Sequence, residues 1–202
     1  MKAILLLIIG AALFVISGCG GGGGGGGGGG TTPPANTVTS GWSYLNGANY
    51  SSATSTFNAV LQNQESTAAD KASARSGLGW IDLREDGVSL VTDETIAKFT
   101  TALTEDAANK EAMIGLAMIY LTRTGNQEVG YLESAGLSDV NYVFSSKLSL
   151  SNAEAHSLMA LAYFENGQTV PAQAQIDKAN ALEGGANKTI QQVYNSLDKL
   201  GL

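Results

Sequence analysis

Ala153-Glu154-Ala155-His156-Ser157-Leu158-Met159-Ala160-Leu161-Ala162-Tyr163-Phe164-Glu165-Asn166-Gly167 carries small or apolar residues at helical spacing and stops at a glycine suited to a helix C-cap. Just upstream, Ser151 with Glu154 three residues later writes a capping box. Downstream, Gln168 to Leu182 gives a second amphipathic run, with Ala172, Ile176, Ala179 and Leu182 on one face and Pro171 in the first turn, where proline is tolerated. Two helices joined by a tight turn are therefore predicted, and helical hairpins of this size bury a face only by stacking on further helices.

Working outward, Leu116, Ala117 and Tyr120 repeat the order of Met159, Ala160 and Tyr163. Phe99, Ala102 and Leu103, then Asp106 through Ala112, read as the end of a second helix passing into the next first helix. Gly47, Tyr50, Ala53, Phe57 and Val60 supply an earlier turn and second helix, and Ala74, Leu78 and Trp80 through Gly87 another first helix. Between Asn126 and Leu150 the apolar residues Val129, Leu132, Leu137, Val140, Val143 and Leu148 predict two short helices. Ile190, Val193, Tyr194, Leu197 and Leu200 form an amphipathic closing helix, and strands are hardly signalled.

The pair of helices at 151–183 resembles a tetratricopeptide repeat, a helix–turn–helix unit with large, small and aromatic residues at fixed offsets. Met159, Ala160 and Tyr163 carry the pattern of the first helix, Gly167 the turn, and Ala172, Ile176 and Ala179 the stripe of the second. His156 stands where the family opens with tryptophan, and Glu183-Gly184-Gly185 lacks the closing proline. The resemblance implies an all-α array of about four degenerate repeats over residues 41–202, ending in a capping helix.

The amino terminus reads differently. Met1-Lys2 is a positive start, Ala3 to Ile16 an apolar run broken by Gly10, and Ile16-Ser17-Gly18 a small-residue end before Cys19. This is the layout of a secretory signal peptide over residues 1–18, too short for a membrane span, which needs roughly 20 residues. Ile16-Ser17-Gly18-Cys19 resembles the lipobox of bacterial lipoproteins, which implies that the Cys19 thiol carries a diacylglycerol thioether and begins the mature chain. Cys19 is the single cysteine and so has no disulfide partner within the chain. Gly20 follows it where the family's inner-membrane retention signal has aspartate, so the resemblance implies the outer membrane, facing the periplasm or outward.

Of the 26 glycines, 11 form the run Gly20–Gly30. With Thr31-Thr32-Pro33-Pro34-Ala35-Asn36-Thr37 behind it, this segment has almost no apolar side chain to bury, and residues 19–40 are expected to be a flexible tether. About 20 residues of such coil reach roughly 25 Å.

Chemistry is sparse. His156 is the only histidine, which limits a Ser–His–Asp triad and excludes two-histidine metal motifs; at a helix-packing position it reads as a satisfied, partly buried side chain. Asp82 to Asp93 imitates a calcium loop, with acids at the first, fifth and twelfth places and Gly87 at the sixth, but Arg84 stands at the third, where the ion needs oxygen. No nucleotide loop is present, because the glycine run lacks a following Lys-Ser/Thr. With Lys2 gone, 10 basic residues face 18 acidic ones, a net of −8, which argues against nucleic acid as a partner. No catalytic residue, metal or cofactor is expected.

These readings converge on a lipid-tethered binding or scaffold module for a segment of another envelope protein. The alternative is a self-assembling or structural component of an outer-membrane, secretion or pilus complex. The resemblance implies that first helices face the ligand, which brings forward Ser76, Trp80 and Leu83, then Glu111, Ile114, Met118 and Leu121, then Ser157, Leu161 and Phe164. That stripe suits an amphipathic helix or an extended apolar peptide. It is either open or filled by Asn126–Leu150 or the closing helix, because Met113 through Leu121 is apolar on every side.

Overall fold

The computed structural model describes residues 37–123, 127–199 and 201–202, and among these the chain is all-helical with no strand. The signal segment, Cys19, the glycine run and Leu200 lie outside the described residues, as do 124–126. The helices are α1 (Val38–Asn46), α2 (Tyr50–Gln62), α3 (Ala68–Glu85), α4 (Asp93–Glu105), α5 (Lys110–Thr122), α6 (Gln127–Ser134), α7 (Asn152–Glu165), α8 (Thr169–Glu183) and α9 (Lys188–Lys199). Helix α1 begins three residues before the boundary drawn at residue 41, because Thr37 caps it and accepts a hydrogen bond from the Ser40 N–H.

Polar caps set the other starts. Asn49, Thr67, Thr92, Asn109 and Ser151 each accept a main-chain N–H from the first turn of the helix they precede. Thr67 with Asp70 and Ser151 with Glu154 form complete capping boxes. Each helix packs on the next in chain order, and α1 on α3, α3 on α5 and α7 on α9 pack as well. The helices pair in chain order as α1–α2, α3–α4, α5–α6 and α7–α8, and the leading member of each pair is a first helix here; α1, α3 and α5 pack in series. Residues 111–119 of α5 and 155–163 of α7 are buried without a break, so both run through the interior, and Ala117 and Ala160 are fully covered. Leu182, expected on the buried stripe of α8, is exposed.

One packing device recurs. The Phe57 ring of α2 meets Gly41 of α1 and Gly77 of α3, and the Phe99 ring of α4 meets Gly79 of α3 and Gly115 of α5. A Cβ at any of these glycines would lie 2.3–2.9 Å from ring carbons, closer than real contacts allow, so the absence of a side chain is what lets a phenylalanine enter between two first helices. Tryptophan closes each pocket edge-on, Trp42 at 5.6 Å from Phe57 and Trp80 at 6.2 Å from Phe99.

The segment expected to hold two short helices holds one, α6. Gly136, with φ +99°, ends it, and the Leu137 N–H turns back to the Leu132 carbonyl. In place of the second short helix, residues 142–150 form a strap without helix or strand, which bends at residues 147–149. Its burial alternates: Phe144 and Leu148 are buried and Tyr142, Ser146 and Leu150 half-buried, while Val143, Ser145 and Ser149 are exposed, as is Lys147 apart from its ammonium, which reaches Ser73. A period of two is the pattern of a chain lying on a surface, and it is incompatible with a helix.

Candidate functional site

The strap lies on the first helices of the hairpins and is held there by its main chain. At its start the Tyr142 carbonyl faces His156 Nε2 of α7 at 2.9 Å, and the Phe144 N–H donates to Asn152 Oδ1 at 2.7 Å. At its tip the Lys147 N–H donates to Glu111 Oε1 of α5 at 2.7 Å. Asn46, the last residue of α1, spans the tip with one amide: Nδ2 donates to the Lys147 carbonyl at 2.8 Å, and Oδ1 accepts the Ser149 N–H at 3.2 Å. The Lys147 ammonium reaches Ser73 Oγ of α3 at 2.8 Å, an oxygen that also accepts from Trp42 Nε1 at 3.0 Å. The Tyr142 hydroxyl hydrogen-bonds Lys110, so this residue bridges α5 and α7.

His156 is fully buried, beyond the partial burial expected of it. Its Nδ1 lies 2.6 Å from Gln175 Oε1, and Gln175 Nε2 donates to the Leu137 carbonyl at 2.7 Å. The second nitrogen faces the strap, so this histidine ties α8 to the strap through α7.

Of the eight residues expected to line a binding face, Trp80, Leu83, Glu111, Ile114, Met118, Leu121 and Leu161 are buried, and Phe164 is half-buried against the core. They do not form an open apolar surface. Seven of these side chains are buried, and of the eight Glu111 makes a hydrogen bond to the strap. Glu111 meets the strap directly, and its own carbonyl accepts Trp80 Nε1 at 2.9 Å, which fixes the start of α5 against α3. Ser76 Oγ is buried 2.9 Å from Asn109 Oδ1, the cap of the same helix. Asn46, Ser73 and Lys147 are not singled out by the sequence. A signal for the strap exists in the apolar residues at alternate positions 142, 144, 148 and 150, but nothing local marks Asn46 as its clamp.

Beside the tip, Thr39, Trp42, Ser43, Asn46 and Lys147 line an open cleft of about 300 Å³. Elsewhere, Asp82 is engaged by Thr95 Oγ1 at 2.8 Å and by Lys98 Nζ at 2.7 Å, so the acid that would open a calcium loop is neutralised by a lysine. Among the described residues no group of three or more His, Cys, Asp or Glu side chains could hold a metal ion, and no helix is long and apolar enough to cross a membrane. Glu128 is buried with Oε1 on Asn166 Nδ2 and Oε2 without a hydrogen-bond partner. No family model, no curated protein and no solved structure matches the chain.

Proposed function

We propose that the protein is a membrane-anchored lipoprotein whose tetratricopeptide-repeat-like body serves as a protein–protein interaction or scaffold module in the bacterial cell envelope. Acylated Cys19 would hold it to the outer membrane on the periplasmic side, with the glycine-rich segment as tether. Its partner would be a segment of another envelope protein, without cofactor, metal or nucleic acid and without catalysis. One observation carries this reading: Asn46, Glu111 and His156, from three first helices, face main-chain groups of a non-helical chain segment. A face that grips the main chain of a non-helical segment is a peptide-recognition surface in chemical terms.

The second reading, self-assembly, draws on the same strap. Its tip meets Asn46 across 101 residues of sequence, a contact that a second copy could make in exchange. In-cell photo-crosslinking separates the two. A photoreactive residue at Thr39, exposed in the cleft beside the tip, should capture a different envelope protein, while one at Asn58, exposed on α2, should not. Adducts only between copies of this chain would favour self-assembly, and equal capture from both positions would contradict a binding role for this face.

A further inference from the structure

We propose that the strap is an intramolecular occupant of the binding face, and that its tip is displaced by a segment of a partner protein bearing an aromatic residue and, three and four positions on, a lysine and an aliphatic residue. This inference rests on the binding-module reading and adds to it how the face is regulated and what chemistry displaces the strap.

The seated strap itself defines that chemistry. Phe144 and Leu148 are the side chains it buries, and Lys147 is the cation it lays on Ser73. Between them Ser145 is exposed and Ser146 half-buried, so those two positions demand little of an incoming chain. Glu111 and Asn46 take only an N–H, a C=O and a second N–H, main-chain groups that the strap presents where it bends at residues 147–149. The site thus reads direction and spacing through the main chain and identity through three side chains.

Three features favour release of the tip over permanent burial. The connection from α6 to α7 is longer than packed domains ordinarily use, and such lengths are typical of functional loops. The strap leaves at a residue fixed by its own capping box, Ser151, so the tip can lift while α7 keeps its start. The cleft lined by Thr39, Trp42, Ser43 and Asn46 is open beside Lys147, giving an incoming chain contact with the clamp before the tip departs. Tethering supplies the strap at an effective concentration of about millimolar, so an outside segment has to out-compete it rather than find an empty face.

The test uses the full chain in detergent micelles. Amide hydrogen exchange at Lys147 and Ser149 should run at least ~100-fold faster than at Leu116 and Ala117 in α5, as local opening requires. A labelled synthetic peptide with the sequence of residues 141–151 should bind the variant Phe144→Ser with Leu148→Ser at least ~10-fold more tightly than the unaltered protein, because the competing strap has been weakened. The same peptide with both apolar anchors replaced by serine should not bind. Strap amides as protected as those of α5 would overturn displacement while leaving a binding role to another face. A variant that keeps its helical circular dichroism yet binds no peptide would overturn the face as a peptide site, and with it the proposed function. Loss of helical signal in the variant would make the strap part of the core and also overturn the proposal. A concentration-dependent dimer of the unaltered protein would replace the outside partner by a second copy.

Discussion

Phe57 and Phe99 enter the core through gaps that exist only because glycine stands at Gly41, Gly77, Gly79 and Gly115. In a helix interior alanine is worth roughly 1 kcal/mol more than glycine, so Gly→Ala should stabilise wherever space allows. At Gly115 it does not: the added carbon would lie 2.5 Å from a fully buried ring, and overpacking of that kind costs about 1–3 kcal/mol. Gly130, in α6, has nothing within 4 Å of the same position. Urea denaturation should therefore show Gly115→Ala less stable than the parent and Gly130→Ala more stable by about 0.5–1 kcal/mol; the same sign for both would mean that the ring contacts do not limit packing. Trp42 and Trp80 donate their indole N–H groups across to α3 and α5, to Ser73 Oγ and to the Glu111 carbonyl, so each buried aromatic is satisfied by the following first helix.

At the scale of elements, α6 is the shortest second helix of the hairpins and is held to α7 by polar contacts. The Tyr163 hydroxyl donates to Glu133 at 3.2 Å, and Asn166 Nδ2 donates to Glu128 at 2.6 Å. Burial first, and the Glu133 carboxylate second, push the Tyr163 phenol up to about 12. Since the unfolded value is about 10, the folded state favours the neutral phenol. Its contribution is complete below pH ~10 and is lost as pH rises from there through about 12. Thermal melts between pH 9 and about 11.5 should fall more steeply for the parent than for Tyr163→Phe; parallel slopes would remove Tyr163 from the alkaline transition.

Legibility in the sequence divides along the same line. The α7–α8 hairpin is readable because all its signals are local: the Ser151–Glu154 box, the small residues between, and Gly167 at φ +72°. The strap reads as a helix when Val140, Val143 and Leu148 are weighed without the alternation of Tyr142, Phe144, Leu148 and Leu150, and its clamp lies 101 residues away. Seven of the eight candidate face residues are apolar in the sequence, and six of those are buried, while Glu111 is buried with its carboxylate on the Lys147 N–H. A repeated dipeptide, Gly41-Trp42 and Gly79-Trp80, marks the two phenylalanine pockets 38 residues apart.

For the whole molecule, the described residues form a stack of helices whose first members are bridged by the strap. Whether that body works at a membrane depends on residues upstream of it. The proposed place in the envelope rests on Cys19, the lone cysteine directly after Ile16-Ser17-Gly18. The most direct measurement is the intact mass and amino-terminal peptide of the mature chain purified from membranes. The account predicts a chain that begins at Cys19 carrying a diacylglycerol thioether and shifts out of the membrane fraction, or stays unprocessed, in Cys19→Ser. A mature chain that begins elsewhere, or carries Cys19 as a free thiol, would contradict the anchor and the envelope role built on it.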